Sequence, residues 1–159
     1  MLYISAWYPE QHKEVEQKNM AYYNKIGLLI LNDDQSKFLV CEPGEKYLEK
    51  SVTQYLMPGG QFTEDSEKEC LSAEIKEELN CEVDLESLEF IGEYTDAAAI
   101  VGRDVSIKLY KGKIIGTPAP SSEIGALHWI GKEDINNLKV SPIIRNKIIP
   151  DLIGRGILN

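Results

Sequence analysis

The apolar residues of this chain change period at Ser66. Before it, "KIGLLILN" (25–32) and "SKFLVCE" (36–42) are compact apolar and β-branched runs of strand length, separated by a polar stretch. After it, Cys70, Leu71, Ile75 and Leu79 recur at helical spacing. Further on, "LEFIGEYTD" (88–96), "DVSIKLYKGKII" (104–115) and "ALHWIG" (126–131) return to strand patterning. Strands on both sides of one central helix must bury a sheet face against that helix and find a second cover for the other face. The expected fold class is therefore α/β, with a mixed β-sheet covered on both faces.

Local signals sharpen this outline. The first two runs, joined through Asn32 and "DDQ", predict a buried hairpin. "YLMPGG" (55–60) reads as a strand running into a tight loop, because Pro58 stops the run and two glycines permit left-handed angles. Ser66 and Glu69 form a capping box, so the helix is expected over 66–79, with Asn80 as a left-handed C-terminal cap. A turn around Gly102, Arg103 and Asp104 joins the next two strands. "KEDINNL" (132–138) opens a short helix, and Ser141-Pro142 starts another through "IIRNKII" that Pro150 ends or kinks.

With 159 residues, 43% of them hydrophobic, the chain can bury one core of ordinary size. One domain is expected over 24–159, preceded by an extension over 1–23 in which Tyr3, Trp7 and Tyr8 could cover a homodimer interface. Acidic residues outnumber basic ones by 26 to 17, and a net charge of -9 disfavours a nucleic-acid polymer or an anionic membrane as partner. A small phosphorylated substrate remains open if cations mediate the contact. Cys41, Cys70 and Cys81 form no C-x-x-C pair, which disfavours a disulfide framework and a thiolate zinc site. The opening "MLYISAWYPEQHKE" lacks the pattern of a secretory signal, and no apolar run is long enough to span a bilayer. The expected location is the cytoplasm.

"LSAEIKEELN" (71–80) sets Glu74, Glu77 and Glu78 on one helix face beside the apolar stripe. Fully solvated, each close pair costs only about 0.2–0.5 kcal/mol, so a plain acidic surface is one reading. In a partly dry cleft two such charges about 5 Å apart repel by roughly 3 kcal/mol, and three must bind protons or a cation. Oxygen-only ligands favour Mg2+, with Mn2+ as a substitute.

The stretch "MPGGQFTEDSEKECLSAEIKEELNCEV" (57–83) resembles the signature of the Nudix hydrolases, through Pro58, Gly59, Gly60, Glu74, Ile75, Glu77, Glu78 and Cys81. It departs from that signature at four points. The first glutamate falls on Asp65, and the loop back to the glycine pair is one residue short. Ala73 stands for the arginine and Asn80 for the last glycine. The resemblance implies a Nudix-type α/β/α sandwich and Mg2+-dependent hydrolysis of a pyrophosphate bond in a nucleoside diphosphate derivative. Carried over, Glu74 and Glu78 are direct metal ligands, Glu77 binds metal or an attached water, and a backbone carbonyl of Gly59 or Gly60 completes the set. An arginine at 73 would orient the carboxylates; Lys68 or Lys76 could compensate, without the planar fork of arginine.

Outside the motif, Glu123 in "APSSEIGALHWI" is a candidate general base or metal ligand by the same resemblance, against a turn acid in water. His128 reads as a hydrogen-bonded core residue. Tyr55, Phe62 and Tyr94 are candidates for stacking on a base, each against a packing role. Arg103, Lys46 and Lys50 are candidates for phosphate contact. A triphosphate of a nucleoside or deoxynucleoside is the substrate to test first, with nucleotide sugars, ADP-ribose and dinucleoside polyphosphates next. The rival readings are a nucleotide-sensing module of the same fold and a structural domain with a solvated acidic helix.

Overall fold

The structure is a computed structural model and describes residues 22–45, 52–62, 66–97, 103–121 and 123–159. Residues 1–21 of the extension expected over 1–23, with Tyr3, Trp7 and Tyr8, lie outside the described residues, as do Lys46, Lys50, Asp65 and Gly102, while Tyr22 and Tyr23 begin the first strand. In chain order the elements are β1 (Tyr22–Leu29), β2 (Lys37–Pro43), β3 (Gly59–Gln61), α1 (Glu67–Leu79), β4 (Glu82–Val83), β5 (Glu89–Ala97), β6 (Asp104–Lys111), β7 (Ile114–Ile115), β8 (Ile124–Gly131) and α2 (Ile149–Gly154).

Four strands form a mixed sheet in the order β3-β1-β6-β5. β1 runs parallel to β6 and antiparallel to β3, while β5 and β6 are antiparallel. On one face, α1 buries Cys70, Leu71, Ile75 and Leu79 against Ile26, Leu28 and Ile30. On the other, Ile144, Ile148, Ile149 and Leu152 pack with Leu29, Val105, Ile107 and Leu109. Burying each of these large side chains is worth about 1.5–3 kcal/mol, which is why β1 carries an unbroken apolar run rather than an alternating one. The result is an α/β/α arrangement. Among the described residues no helix is long and apolar enough to cross a membrane.

The expected hairpin is corrected. Its turn forms, with the Asn32 side-chain carbonyl accepting from the backbone N–H groups of Ser36 and Lys37 at 3.0 Å each. The strands then part after the Leu31–Phe38 bridge, and β2 pairs with β8 in a separate sheet. Both edges of β1 are already occupied by β3 and β6, so β2 has no ladder to join there. "YLM" is likewise not a regular strand. Tyr55 and Leu56 make single bridges to Val140 and Cys41, and the strand begins at the glycines themselves.

Three smaller differences follow from local chemistry. The run 104–115 breaks at Gly112, whose N–H bonds Leu29 O at 3.2 Å, so Ile114–Ile115 pairs with β4 instead. Lys132–Asp134 is one 3-10 turn rather than a longer helix. Pro150 does not end the last helix. A π turn over Ile144–Ile148, with the Ile149 N–H reaching back to Ile144 O, precedes it, and α2 continues to Gly154. Widening one turn makes room for a ring that would otherwise strike the carbonyl four residues back.

Candidate active site

α1 is fixed at both ends by the residues expected to cap it. Ser66 Oγ accepts from the Glu69 N–H at 3.5 Å. Asn80 adopts φ 56°, ψ 32°, and its backbone N–H bonds Lys76 O. Its side-chain amide also donates to Ala119 O at 3.1 Å, which ties the helix end to the segment leading to β8. This sets the rotation of the helix, and with it the direction of Glu74 and Glu78.

Both carboxylates meet β3. Glu78 is only 8% exposed, and its Oε1 accepts the Gly59 N–H at 2.7 Å. A Cβ added to Gly60 would lie 2.2 Å from the Glu74 carboxyl carbon, so that carboxylate rests directly on the glycine backbone. Gly59 has φ +142°, and an added Cβ there would come within 2.0 Å of Ile26 O. No other residue type fits that position. The paired glycines thus seat one glutamate each.

Burial pushes the Glu78 carboxyl up to about 8; the Gly59 hydrogen bond opposes this, the charge of Glu74 adds to it, Lys25 opposes it and Glu123 adds to it. Glu74 is also raised, by burial first and then by Glu77 and Glu123, with Lys25 again opposing. The charges of Glu77 and Glu123 thus act on Glu74, and those of Glu74 and Glu123 on Glu78, with Glu74 and Glu78 themselves partly desolvated. Glu123 is held there through its backbone. Its carbonyl accepts the Gly44 N–H at 3.0 Å, and a Cβ on Gly44 would lie 2.8 Å from that same oxygen.

Such a cluster has carboxylate oxygens alone to offer, the donor type of a hard divalent cation. As the side chains stand, no three acidic, histidine or cysteine groups among the described residues are close enough to enclose an ion. Glu74 and Glu78 are the pair whose seating fits one. Glu77 is exposed one position before Glu78.

Solved structures share this architecture. The chain aligns over 84% of its length with 95% of a MutT protein from Methanosarcina mazei Go1, at 18% identity and a TM-score of 0.66. It aligns over 83% with 86% of a Nudix hydrolase from Nitrosomonas europaea, at 17% identity and a TM-score of 0.59. An ADP-ribose pyrophosphatase from Streptococcus suis 89-1591 matches over 84% of this chain and 90% of its own, at 15% identity and a TM-score of 0.56. This chain has the Nudix fold. No protein-family model and no curated protein matches the sequence.

Within the Nudix fold the remaining candidates fall in different places. Tyr55 stacks on His128, with ring centroids 4.4 Å apart and planes 9° apart, and His128 Nε2 is 2.8 Å from Glu42. Tyr94 donates its hydroxyl to Asp151 at 2.5 Å, yet its ring packs with the cluster that covers Ile107. Phe62 packs on the α1 side, under the Lys108 ammonium at 5.0 Å from its centroid. Arg103 is exposed just ahead of β6. The structure seats Glu74 on Gly60 and Glu78 on Gly59, with Glu123 near enough for its charge to act on both; it leaves Glu77 exposed beside them and Phe62 on the other face from Tyr55 and Tyr94.

Of the two lysines that could compensate, Lys76 pairs its ammonium with Glu82 and Lys68 is exposed. Ala73 is exposed. The cation whose charge acts on both Glu74 and Glu78 is Lys25, which the motif does not contain. The signal for it was a single charge at the head of the apolar run "KIGLLILN".

Proposed function

We propose that the chain is a pyrophosphohydrolase of the Nudix type, using Mg2+, or Mn2+ in its place, to cleave a nucleoside diphosphate linked to another group. The observation that carries this reading is the seating of Glu78 on the Gly59 N–H and of Glu74 on Gly60. A buried carboxylate whose proton affinity is raised is costly as an anion, and a divalent cation removes that cost. Bound there, Mg2+ would neutralise phosphate charge and polarise phosphorus for attack.

The chain's own groups supply position and proton transfer. Glu74 and Glu78 hold the cation. Glu123 accepts the proton of the attacking water as its oxygen bonds to phosphorus and the bridging P–O bond breaks, releasing a nucleoside monophosphate or its counterpart. Tyr55 and Tyr94, which pack on the face opposite α1, are the proposed contacts for the nucleoside. Nucleoside triphosphates are the first class to test, followed by ADP-ribose, nucleotide sugars and dinucleoside polyphosphates, because the fold hosts several of these activities.

The test is product release from such a panel with and without Mg2+, in the wild type and Glu78→Gln. Metal-dependent release that falls at least about 100-fold in the variant supports hydrolysis. Nucleotide binding without release supports a sensing module instead, the reading favoured by Ala73 in place of an orienting arginine. Binding of neither metal nor nucleotide rejects both.

A further inference from the structure

Lys25 lies on β1 opposite Ile107 of β6 and Gln61 of β3, next to the pairs Ile26–Gly60 and Gly27–Gly59. Strand alternation sets it on the same side as Gly27, where an added Cβ would meet Ile107 Cγ2 and Met57 Cβ. Tyr94 also stands opposite Ile107, so Lys25, Ile107 and Tyr94 form one row across three strands. At strand spacing the row's ends are about 10 Å apart. Lys25 is only partly exposed; its backbone pairs in the sheet, and among the described residues its ammonium has no hydrogen-bonded partner. Burial lowers its proton affinity, against the charges of Glu78 and Glu74.

An ammonium set into a strand with no hydrogen-bonded partner among the described residues is held there only by the more distant charges of Glu78 and Glu74. Glu74 and Glu78 serve as its counter-charges only while they hold no cation. Once those carboxylates hold a divalent cation, two positive centres stand close together unless an anion lies between them. Resting on the pyrophosphohydrolase reading, we infer that the Lys25 ammonium binds a phosphate oxygen of the substrate, from the strand side of the site opposite the carboxylates. It is a substrate-binding group. The row it heads then runs from phosphate to the Tyr94 ring, where a nucleoside would lie.

The experiment compares wild type, Lys25→Met and Lys25→Arg, all as full chains. Mn2+ binding alone is read by electron paramagnetic resonance. Binding of inorganic pyrophosphate and of a methylene-bridged nucleoside diphosphate analogue is read by calorimetry with Mn2+ present. Lys25→Met should weaken both phosphate ligands about 10-fold or more, while Lys25→Arg stays within about threefold of wild type. Mn2+ alone should bind no more weakly to Lys25→Met, because removing a positive charge does not repel a cation. Methionine preserves the packing of the stem, so the fold should hold. Unchanged phosphate affinity in Lys25→Met overturns the inference, as does a parallel loss of Mn2+ binding, which would make Lys25 a support for the carboxylates. A wild type that binds pyrophosphate through Lys25 but no nucleoside analogue rejects the proposed substrate and keeps the anion site. A wild type that binds neither rejects both.

Discussion

Glu74 and Glu78 depend on neighbouring glycines in different ways, and mutation should separate them. Gly60 does not have a positive φ, so an alanine there is tolerated by the backbone but displaces the Glu74 carboxylate. Gly60→Ala should therefore leave the melting temperature nearly unchanged and weaken Mn2+ binding about 10- to 100-fold, as read by paramagnetic resonance. Gly59→Ala meets both the positive φ and the Ile26 carbonyl, and should destabilise the fold itself by about 1–3 kcal/mol in urea titrations. The closeness of Glu74 and Glu78 was legible because helical spacing alone puts positions 74 and 78 on one face. Lys25 was not, since one lysine beside an apolar run looks like an ordinary strand boundary. Its meaning comes from β3 and α1, which arrive from later parts of the chain. Tyr94 was half legible: its ring sits at a strand position facing the core, but the Asp151 that takes its hydroxyl lies on a helix with no sequence link to it.

α1 was the most legible element because both of its ends are written in local side chains. Asn80 holds φ 56° with a side-chain bond to Ala119 O. Asn80→Ala should cost about 1 kcal/mol in chemical unfolding, whereas Asn80→Gly, which relieves the backbone and loses only that bond, should cost less than half as much. Sheet membership was far less legible. "KIGLLILN" and "SKFLVCE" announce strands and the turn between them, but their partners are β6 and β8, far along the sequence. Composition cannot say which edge is already taken. The end of the chain is similar: Pro150 reads as an end or a kink, and the tertiary burial of Ile144, Ile148, Ile149 and Leu152 accounts for continuing through it by way of a π turn.

For the molecule as a whole, the carboxyl of Glu78 links stability to pH and to metal. Its folded value of about 8 lies above the ordinary 4.5, so the favourable contribution is complete below pH 4.5 and is lost as pH rises through 8. The metal-free protein should lose on the order of 4 kcal/mol between pH 5 and pH 9 from this group. Thermal melts should show the fall in wild type and a flatter curve in Glu78→Gln. Mg2+ should raise the melting temperature more at pH 8 than at pH 6, because protons compete with it at the lower pH.

β1 also sets a constraint on how the chain is made. Its antiparallel neighbour β3 follows soon after it, but its parallel neighbour β6 ends only at Lys111. During synthesis at about 5–20 residues per second, one flank of this buried strand stays open for several seconds after it leaves the ribosome. A nascent chain halted between α1 and β6 would expose that flank to any other unpaired strand, making such truncated products the ones most prone to aggregate and to recruit chaperones.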